Sequence, residues 1–199
     1  MKKIFITGVD TDIGKTFVSL GLCLASIKKG LKTGYFKPLQ SGAYEKEGVL
    51  VAPDLFELNK FEKIESKYSY LFKGEVSPGL ASLIDNVEVD FNKIKKDFEE
   101  FSSPFDLVVS EGAGGLYCPV SKGKLFCDLI KELNQEIIIV TTPKLGRLNH
   151  LLMTIDCALR NNIKINRARF KWNRKVDVKI KIPLLWYNLN KTKRSWEYE

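Results

Sequence analysis

The feature that most constrains this chain is a short apolar segment followed at once by a turn with a glycine at each end and a lysine. Ile4-Phe5-Ile6 leads into Gly8-Val9-Asp10-Thr11-Asp12-Ile13-Gly14-Lys15-Thr16. This order predicts a buried strand, a turn and the start of a helix. Backbone N–H groups of such a turn, together with a helix N-terminus, surround phosphate oxygens. The sequence therefore predicts a phosphate-binding loop.

The last three residues of the loop carry its chemistry. In nucleotide-binding loops of this kind the lysine, here Lys15, reaches the β- and γ-phosphates, and the hydroxyl of Thr16 binds magnesium. The usual spacing, G-x-x-x-x-G-K-[ST], requires glycine at position 9, but Val9 stands there and the glycine is Gly8. A Gly-Lys-Thr sequence at a helix start also arises by chance. The preceding strand and a carboxylate motif downstream favour a functional loop.

The rest of the chain alternates apolar strands with amphipathic helices. This alternation predicts a three-layer α/β fold, in which helices cover both faces of a mostly parallel sheet. The 199 residues, 44% of them hydrophobic, suit a single domain over 1–199. Strands are predicted at 4–6, 33–37 (stopped by Pro38), 106–110 and 137–142, and helices at 15–29 (ended by Gly30), 53–60, 90–101 and 148–159.

Ligands of parallel sheets bind beyond the carboxyl ends of the strands, and further motifs stand at such ends. Lys37-Pro38-Leu39-Gln40-Ser41-Gly42 places a lysine and a serine where both can point at one anion. Ser110-Glu111-Gly112-Ala113-Gly114-Gly115 places a carboxylate before small residues that let a ligand approach the backbone. The alternatives are a surface lysine before a turn and a purely structural strand end.

Two weaker signals lie at helix starts. Asp54 follows Pro53 in the first turn of a predicted helix. A carboxylate at this position stabilises the helix whether or not it has a further role. The segment Lys144-Leu145-Gly146-Arg147-Leu148-Asn149-His150 opens another helix, whose N-terminus favours an anion. A lone histidine is more often structural than catalytic, so His150 is not assigned as a base.

Together, the phosphate loop and the K-P-x-x-S-G, E-G-A-G-G and K-L-G-x-x-N-H segments resemble the dethiobiotin synthetases, over roughly residues 1–165. The resemblance implies that Lys15 and Lys37 are catalytic and that Mg²⁺ is held by Thr16, Asp54 and Glu111. It implies substrate contacts from Thr11, Ser41, Gly146, Arg147, Leu148 and Asn149. It implies nucleotide or metal contacts from Asp12, Ile13, Gly14, Lys15, Thr16, Phe17, Asp54, Glu111, Gly112, Ala113, Gly114 and Asn173.

The reaction that this resemblance implies uses 7,8-diaminopelargonic acid, carbon dioxide or bicarbonate, and ATP. An amine takes up carbon dioxide as a carbamate, the carbamate attacks the γ-phosphate, and the second amine closes the ureido ring and expels phosphate. Asp12 is expected either near the metal or as a proton acceptor for the substrate amine. The resemblance also implies a homodimer in which the substrate carboxylate meets the first turn of the neighbouring subunit's helix.

Two other functions occur among chains with such a phosphate loop. P-loop switch proteins that partition chromosomes or position division sites carry a second lysine five residues before the loop lysine, and Asp10 stands there instead. A synthetase linked to an amidotransferase requires an extra glutaminase domain, for which 199 residues leave no room. The ligase interpretation is therefore favoured over a switch ATPase with a protein or nucleic-acid partner.

The net charge of +8 is concentrated beyond residue 159, where 12 Lys and Arg face 3 Asp and Glu. Because no base-stacking or groove-reading motif accompanies this charge, a solvated basic face is favoured over nucleic-acid or membrane binding. The stretch 167–174 is more charged than a buried strand should be. The sequence leaves open whether this region has diverged or reflects a changed reading frame, and it leaves the base specificity open.

The remaining composition points to the cell interior. The apolar run after Met1 stops after three residues, which predicts a strand and not an export signal. No apolar segment approaches the roughly 20 residues of a membrane span. The four cysteines, at 23, 118, 127 and 157, form no C-x-x-C pair, so free and mostly buried thiols in a cytoplasmic protein are expected.

Overall fold

The computed structural model describes residues 1–61 and 64–170 of the chain. In chain order the elements are β1 (Lys2–Gly8), α1 (Lys15–Ile27), β2 (Thr33–Gln40), β3 (Tyr44–Lys46), β4 (Val49–Val51), α2 (Pro53–Asn59), β5 (Glu65–Leu71), α3 (Pro78–Ile84), α4 (Phe91–Ser102), β6 (Leu107–Glu111), β7 (Pro119–Ser121), β8 (Lys124–Leu125), α5 (Phe126–Glu132), β9 (Glu136–Thr141), α6 (Arg147–Arg160) and β10 (Ile165–Phe170).

The central sheet has six strands in the order β10-β9-β1-β6-β2-β5. Each neighbouring pair runs parallel, so all six carboxyl ends lie along one edge. Two small antiparallel hairpins, β3-β4 and β7-β8, lie outside this sheet. The predicted mostly parallel sheet is therefore confirmed.

Side chains alternate between two apolar cores, one on each face of the sheet. In β1, Ile4 and Ile6 join one core and Phe5 joins the other. The first core is closed by Cys23 of α1 and by α2, whereas α4, α5 and α6 close the second. This is the predicted three-layer arrangement, and burial on both faces explains the continuous apolar runs of the central strands.

The predicted elements are present with small changes at their ends. Helix α1 stops at Ile27, and Gly30 lies beyond it with φ 81°, as expected for a glycine after a helix end. The N–H of Gly30 donates to the Ile27 carbonyl, and the N–H of Leu31 donates to the Ser26 carbonyl. In α4, Phe91, Ile94 and Phe98 form the buried face that their helical spacing predicts.

The prediction that Pro38 ends the second strand was wrong, because β2 continues to Gln40. The pairing of β2 with β6 stops at Phe36, whereas its pairing with β5 extends to Gln40. Pro38 therefore lies where one side of the strand has no partner among the described strands, and a residue without an N–H group is tolerated there.

Several elements were not anticipated: β5, α3, α5, the two hairpins and β10. Within the described residues β10 pairs only with β9, so it is an edge strand. In this described part of the sheet β10 has a strand neighbour on one side only, and edge positions tolerate charged residues.

Candidate functional site

The register of the sheet places two of the predicted site residues side by side. Phe36 of β2 pairs with Ser110 of β6, so Lys37 and Glu111 come next on their strands. Ile6 of β1 pairs with Glu111, and the N–H of Gly112 donates to the Ile6 carbonyl. The end of β6 therefore lies between the phosphate loop on one side and Lys37 on the other.

The geometry of the phosphate loop explains why its first glycine is Gly8 and not residue 9. A Cβ on Gly8 would lie 2.5 Å from Cδ1 of Ile13 and 2.9 Å from the Asp10 carbonyl oxygen. Val9 has no such constraint, and its N–H continues the sheet by donating to the Val140 carbonyl at 3.1 Å. The close approach of backbone that requires glycine thus falls one residue earlier than in the usual spacing.

The second glycine of the loop, Gly14, is the residue before α1 and has φ 93° and ψ 33°. Asp12 also has a positive φ, 51°, which is uncommon for a residue with a Cβ. These left-handed residues turn the chain so that α1 begins at Lys15 directly behind the loop. The expected phosphate cradle, a tight turn at a helix N-terminus, is formed.

Lys37 lies between two carboxylates. Its Nζ is 2.5 Å from Oδ2 of Asp54 and 3.0 Å from Oε1 of Glu111. The side chains of Lys37 and Glu111 are 3% and 1% exposed, and that of Asp54 is 25% exposed. Charges this deeply buried are tolerated in proteins when they are paired and hydrogen-bonded, as they are here.

Two hydroxyl groups of α1 complete this cluster. Thr16 Oγ1 donates to Glu111 Oε1 at 2.9 Å and lies 3.2 Å from Asp54 Oδ1. Ser19 Oγ lies 2.6 Å from Glu111 Oε2 and 3.0 Å from the Lys15 carbonyl. Both carboxylate oxygens of Glu111 are therefore held, one by Thr16 and Lys37 and the other by Ser19.

The charges of the cluster shift the pKa values of its members in opposite directions. Burial acts to lower the pKa of Lys37, but the carboxylates of Glu111 and Asp54 outweigh it and raise that pKa above 10.5. Burial acts to raise the pKa of Asp54, but the charge and hydrogen bond of Lys37 hold it below 3.8. Lys37 is thus an ammonium group and Asp54 a carboxylate near neutral pH.

Lys15 has a different environment from Lys37. Burial, followed by the charge of Lys37, lowers the pKa of Lys15 below 10.5. Its ammonium group donates to the carbonyl oxygen of Asp10 at 2.9 Å and so folds back over the phosphate loop. Two lysines therefore converge on one edge of the sheet, where a phosphate would be attracted by both.

The predicted substrate contacts Thr11 and Ser41 stand on either side of the cluster. Thr11 and Asp12 are exposed at the tip of the phosphate loop. The hydroxyl oxygen of Ser41 is buried and has no hydrogen-bond partner among the described residues. Buried hydroxyls are usually paired, so Ser41 is available to a ligand at the end of β2.

The remaining predicted residues lie around this centre. Ile13 is buried behind the loop, Phe17 is exposed on α1, and Gly112, Ala113 and Gly114 follow Glu111. Asn173, the predicted base contact, lies outside the described residues.

Helix α6 begins beside the phosphate loop of the same chain. Gly146, with φ 84°, precedes it, and Arg147, Leu148 and Asn149 form its first turn. The Arg147 N–H donates to the Lys144 carbonyl at 3.0 Å. The side chain of Arg147 turns towards the loop, where its Nη1 lies 2.5 Å from Oδ2 of Asp10. Nothing in the sequence predicts this ion pair, whose two residues stand 137 positions apart.

A cavity of about 430 Å³ lies between the end of β1, the loop 115–118 and α6. Asp10 and His150 are on its wall near the phosphate loop, and Cys157 is on its wall further along α6. The cavity adjoins the Asp10–Arg147 ion pair, so the space next to the phosphate loop is open to a small molecule or a neighbouring chain.

Two residues of the site were missed. Ser19 lies four positions after Lys15 and thus on the same face of α1, which is the signal that could have found it. Tyr35 lies two positions before Lys37, on the opposite face from Phe36, and its ring is fully buried. Burial, followed by the charge of Glu111, raises the pKa of Tyr35 well above 10.0. Nothing in the sequence distinguishes Tyr35 from an ordinary core residue.

The donor set fits a hard cation. Thr16, Asp54 and Glu111 supply only oxygen, the ligand that Mg²⁺ prefers, and Mg²⁺ typically takes few protein ligands beside substrate phosphates and water. Within the described residues no group of three or more His, Cys, Asp or Glu could hold a metal alone. The ammonium group of Lys37 shows that the two carboxylates accommodate a positive charge between them.

The parallel sheet, the phosphate loop and the lysine–carboxylate cluster define a nucleotide-binding domain of the P-loop class. Residues 2–169 match a family described as AAA domain. The kinase domain of the Escherichia coli tyrosine kinase ETK superposes with a TM-score of 0.60 at 17% identity, over 99% of this chain and 72% of that one. The MinC:MinD complex of Aquifex aeolicus gives 0.52 at 15% identity, over 85% and 68%. At these identities the structures show the fold alone.

Curated relatives narrow the class. An ATP-dependent dethiobiotin synthetase of Caldicellulosiruptor bescii is 40% identical over 166 residues, covering 79% of this chain and 68% of the relative. That of Fusobacterium nucleatum is 37% identical over 173 residues, covering 85% and 78%. The chain belongs to the ATP-dependent dethiobiotin synthetase family. It is a P-loop ligase of biotin biosynthesis that uses ATP, and the switch-ATPase alternative is set aside.

Two smaller predictions can also be compared with the structure. The four cysteines are free, and Cys23, Cys127 and Cys157 are buried, as expected. In the part of the chain that the structure describes, no helix combines the length and the apolar character needed to cross a membrane.

Proposed function

We propose that this chain closes the ureido ring of dethiobiotin from 7,8-diaminopelargonic acid, carbon dioxide and ATP, as a C–N-bond-forming cyclo-ligase. The observation that carries the proposal is the buried cluster of Lys37, Asp54, Glu111 and Thr16 beside the phosphate loop. A site that only binds nucleotide needs the loop, but a buried lysine on β2, on the far side of β6 from the loop, adds charge where a second anion would approach.

Transfer of a phosphoryl group to a carbamate brings two anions together, and their repulsion must be offset. Positive groups fixed beforehand at the transferring group are the usual means. Lys15 and Lys37 would supply this charge, one from the loop and one from β2. The buried hydroxyl of Ser41 and the hydroxyl of Thr11 would donate hydrogen bonds to the carbamate.

Thr16, Asp54 and Glu111 would hold Mg²⁺, which would neutralise charge on the phosphate oxygens when bound. Because Lys37 now contacts both carboxylates, we expect it to leave them for the transferring phosphate when the nucleotide binds. Ser19 would keep Glu111 oriented during this exchange, since it bonds the other carboxylate oxygen.

The ring closure then follows from the chemistry of the intermediate. The carbamate oxygen bonds to the γ-phosphorus while the bond to ADP breaks, which leaves a mixed carbamic–phosphoric anhydride. The second amine attacks the carbonyl carbon, the C–O bond to phosphate breaks, and the amine loses a proton. Asp12, exposed at the loop tip, is a candidate acceptor for a proton of the substrate amines.

We also propose that the chain acts as a homodimer in which the first turn of α6 binds the substrate carboxylate of the neighbouring subunit. The first N–H groups of a helix lack intrahelical acceptors and attract anions. Gly146, Leu148 and Asn149 are exposed, and the side chain of Leu145 is 105% exposed. Leu145 and Leu148, the latter 51% exposed, place two apolar side chains at this turn, where a neighbouring subunit would cover them.

The decisive experiment is turnover of diaminopelargonic acid with bicarbonate and Mg·ATP, read by mass spectrometry. The expected product carries one added carbonyl carbon, and labelled bicarbonate should supply it, with one phosphate released per ring. A Glu111→Gln variant should need a higher magnesium concentration. ATP hydrolysis without a new ring product would contradict the proposal.

A further inference from the structure

We propose that Arg147 is a positioning residue that ties the first turn of α6 to the phosphate loop through Asp10. In this arrangement Arg147 does not itself bind the substrate carboxylate. It keeps the N–H groups of its helix turn at a fixed place relative to the nucleotide. The inference rests on the proposed function for what the helix turn binds. The link between the two elements is a contact within a single chain and does not depend on that function.

The first observation is the contact itself. Nη1 of Arg147 lies 2.5 Å from Oδ2 of Asp10, and these side chains are 20% and 46% exposed. The same nitrogen lies 3.5 Å from Nδ1 of His150, one turn along α6. The hydrogen bond from Arg147, followed by that from the Thr11 N–H, lowers the pKa of Asp10, so Asp10 is a carboxylate near neutral pH.

The second observation is that Asp10 joins three parts of the site. Its Oδ1 accepts from the Thr11 N–H at 2.8 Å, which fixes the side chain to its own loop. Its carbonyl oxygen accepts from the ammonium group of Lys15 at 2.9 Å. Its Oδ2 accepts from Arg147. A displacement of α6 would therefore be felt by the residue that holds the phosphate-binding lysine.

The third observation concerns the charge of Arg147. A guanidinium group that is already paired with a carboxylate at 2.5 Å is neutralised, and using it for a substrate carboxylate would leave Asp10 without its partner. The backbone N–H groups of Leu148 and Asn149, in the first turn of α6, need no such exchange. The geometry thus separates two roles: the helix turn receives the anion, and the Arg147 side chain sets where that turn lies.

A double-mutant cycle tests this link. Asp10→Asn, Arg147→Met and the double variant are compared for the Kd of Mg·ATP and for kcat and KM of diaminopelargonic acid. Each single change should raise the KM about fivefold and the Kd about threefold, with kcat changed less, and the double variant should be no worse than either single one. Arg147→Lys keeps the charge and should recover part of the loss.

The control is a second ion pair on the same helix. Arg160 and Asp156 form an exposed pair at 2.7 Å near the end of α6, and Arg160→Met should leave Kd and KM unchanged. Urea unfolding of every variant tests whether the differences in Kd and KM arise from lost folding. Effects of Asp10→Asn and Arg147→Met that add in the double variant would overturn the proposal.

A direct contact between Arg147 and the substrate would give a different pattern. Arg147→Met would then raise the KM, whereas Asp10→Asn would free the guanidinium group and lower it, which would also overturn the proposal. If the unmodified protein formed no ring product, the proposed function would fail. The Kd of Mg·ATP, compared among the two single variants and the double variant, would still decide whether the ion pair positions the loop.

Discussion

Lys37 is the residue on which we expect both the stability and the chemistry of this site to depend. Its ammonium group lies between the carboxylates of Asp54 and Glu111, and Glu111 is almost fully buried. Removing one partner of a buried ion pair is costly because the other charge is left without compensation. A substitution at Lys37 should therefore report on folding as well as on turnover.

We expect Lys37→Met to lower turnover at least about a hundredfold, because a charge aimed at the transferring phosphate is lost. The Kd of Mg·ATP should change less than about tenfold, since the loop itself is intact. The free energy of unfolding should fall by about 3–5 kcal/mol. Steady-state kinetics, nucleotide titration and urea unfolding measure the three quantities.

Lys60→Met is the matched control, because Lys60 forms an exposed pair with Glu57 in which its side chain is 53% exposed. That change should alter stability by less than about 0.5 kcal/mol. Unchanged turnover in Lys37→Met would remove Lys37 from the mechanism.

The lowered pKa of Asp54 predicts a dependence of stability on pH. A carboxylate whose pKa is lower in the folded than in the unfolded chain stabilises the fold above its unfolded pKa, near 3.8. This contribution is lost as the pH falls through the folded pKa. The difference in unfolding free energy between the unmodified protein and Asp54→Asn should therefore be larger at pH 7 than near pH 3.5. Urea titrations across this range measure it, and a constant difference would contradict the assignment.

Ser19 provides a test of how Glu111 is held. Its buried hydroxyl lies 2.6 Å from Glu111 Oε2, so Ser19→Ala leaves a buried carboxylate oxygen without this donor. We expect the magnesium concentration for half-maximal turnover to rise about fivefold and the unfolding free energy to fall by about 1–3 kcal/mol. Ser26→Ala, seven residues further along the same helix, is the control. Equal metal dependence in the two variants would argue against a role for Ser19.

At the scale of the element, the phosphate loop depends on one glycine that the usual motif does not contain. A methyl group at Gly8 would collide with Ile13 and with the Asp10 carbonyl. Because the Asp10 carbonyl is backbone, Gly8→Ala should distort the loop and weaken Mg·ATP binding by at least about tenfold. Isothermal titration calorimetry of the two proteins measures the difference.

The matched control is Gly21→Ala in α1, where a Cβ would meet nothing within 4 Å. This change should leave nucleotide affinity unaltered and raise the unfolding free energy by about 0.5–1 kcal/mol, because alanine favours a helix. Similar losses of affinity in both variants would show that Gly8 is not the restricting position.

Elements with strong local signals could be predicted from the sequence, and the others could not. The helical spacing of Phe91, Ile94 and Phe98 predicts helix α4, and the apolar run before the phosphate loop predicts strand β1. Strand β5 carries Lys67, Tyr68 and Ser69 at a sheet edge, so it lacks the continuous apolar run of a buried strand. Pro38 was misread because its tolerance depends on where β6 ends, which is tertiary information.

The candidate site was predictable in its residue types more than in its contacts. Lys37, Asp54 and Glu111 stand in motifs that mark chemistry, and the structure brings them together. Ser19 stands in no motif, and although Asp10 and Arg147 stand in two of them, nothing in either motif predicts their pairing, because the partners are 92 positions apart for Ser19 and 137 for Asp10 and Arg147. Only the folded chain shows that Ser19 contacts the carboxylate of Glu111 and that Arg147 contacts the carboxylate of Asp10.

At the scale of the whole molecule, the proposed dimer makes a prediction about α6. Met153 is 62% exposed and lies on the wall of the cavity beside the phosphate loop. Met153→Glu would bury a charge in a contact between subunits and should shift the protein towards monomers. Light scattering measures the molecular mass, and turnover should fall as the share of monomers rises. Lys96→Glu on α4, an exposed position, should leave the mass unchanged, and an unaltered mass in both variants would place the interface elsewhere.

Glu111 contacts Thr16 and Lys37 from 95 and 74 positions away along the chain. Contacts between residues so far apart in sequence form late in folding, because the entropy of the intervening chain must be overcome first. During synthesis on the ribosome, the loop and both lysines emerge well before Glu111, the carboxylate that holds Thr16 and Lys37 in place. A nascent chain without β6 holds the means to attract phosphate but no arrangement to use it. Catalytic competence therefore arrives only when the middle of the sheet is complete.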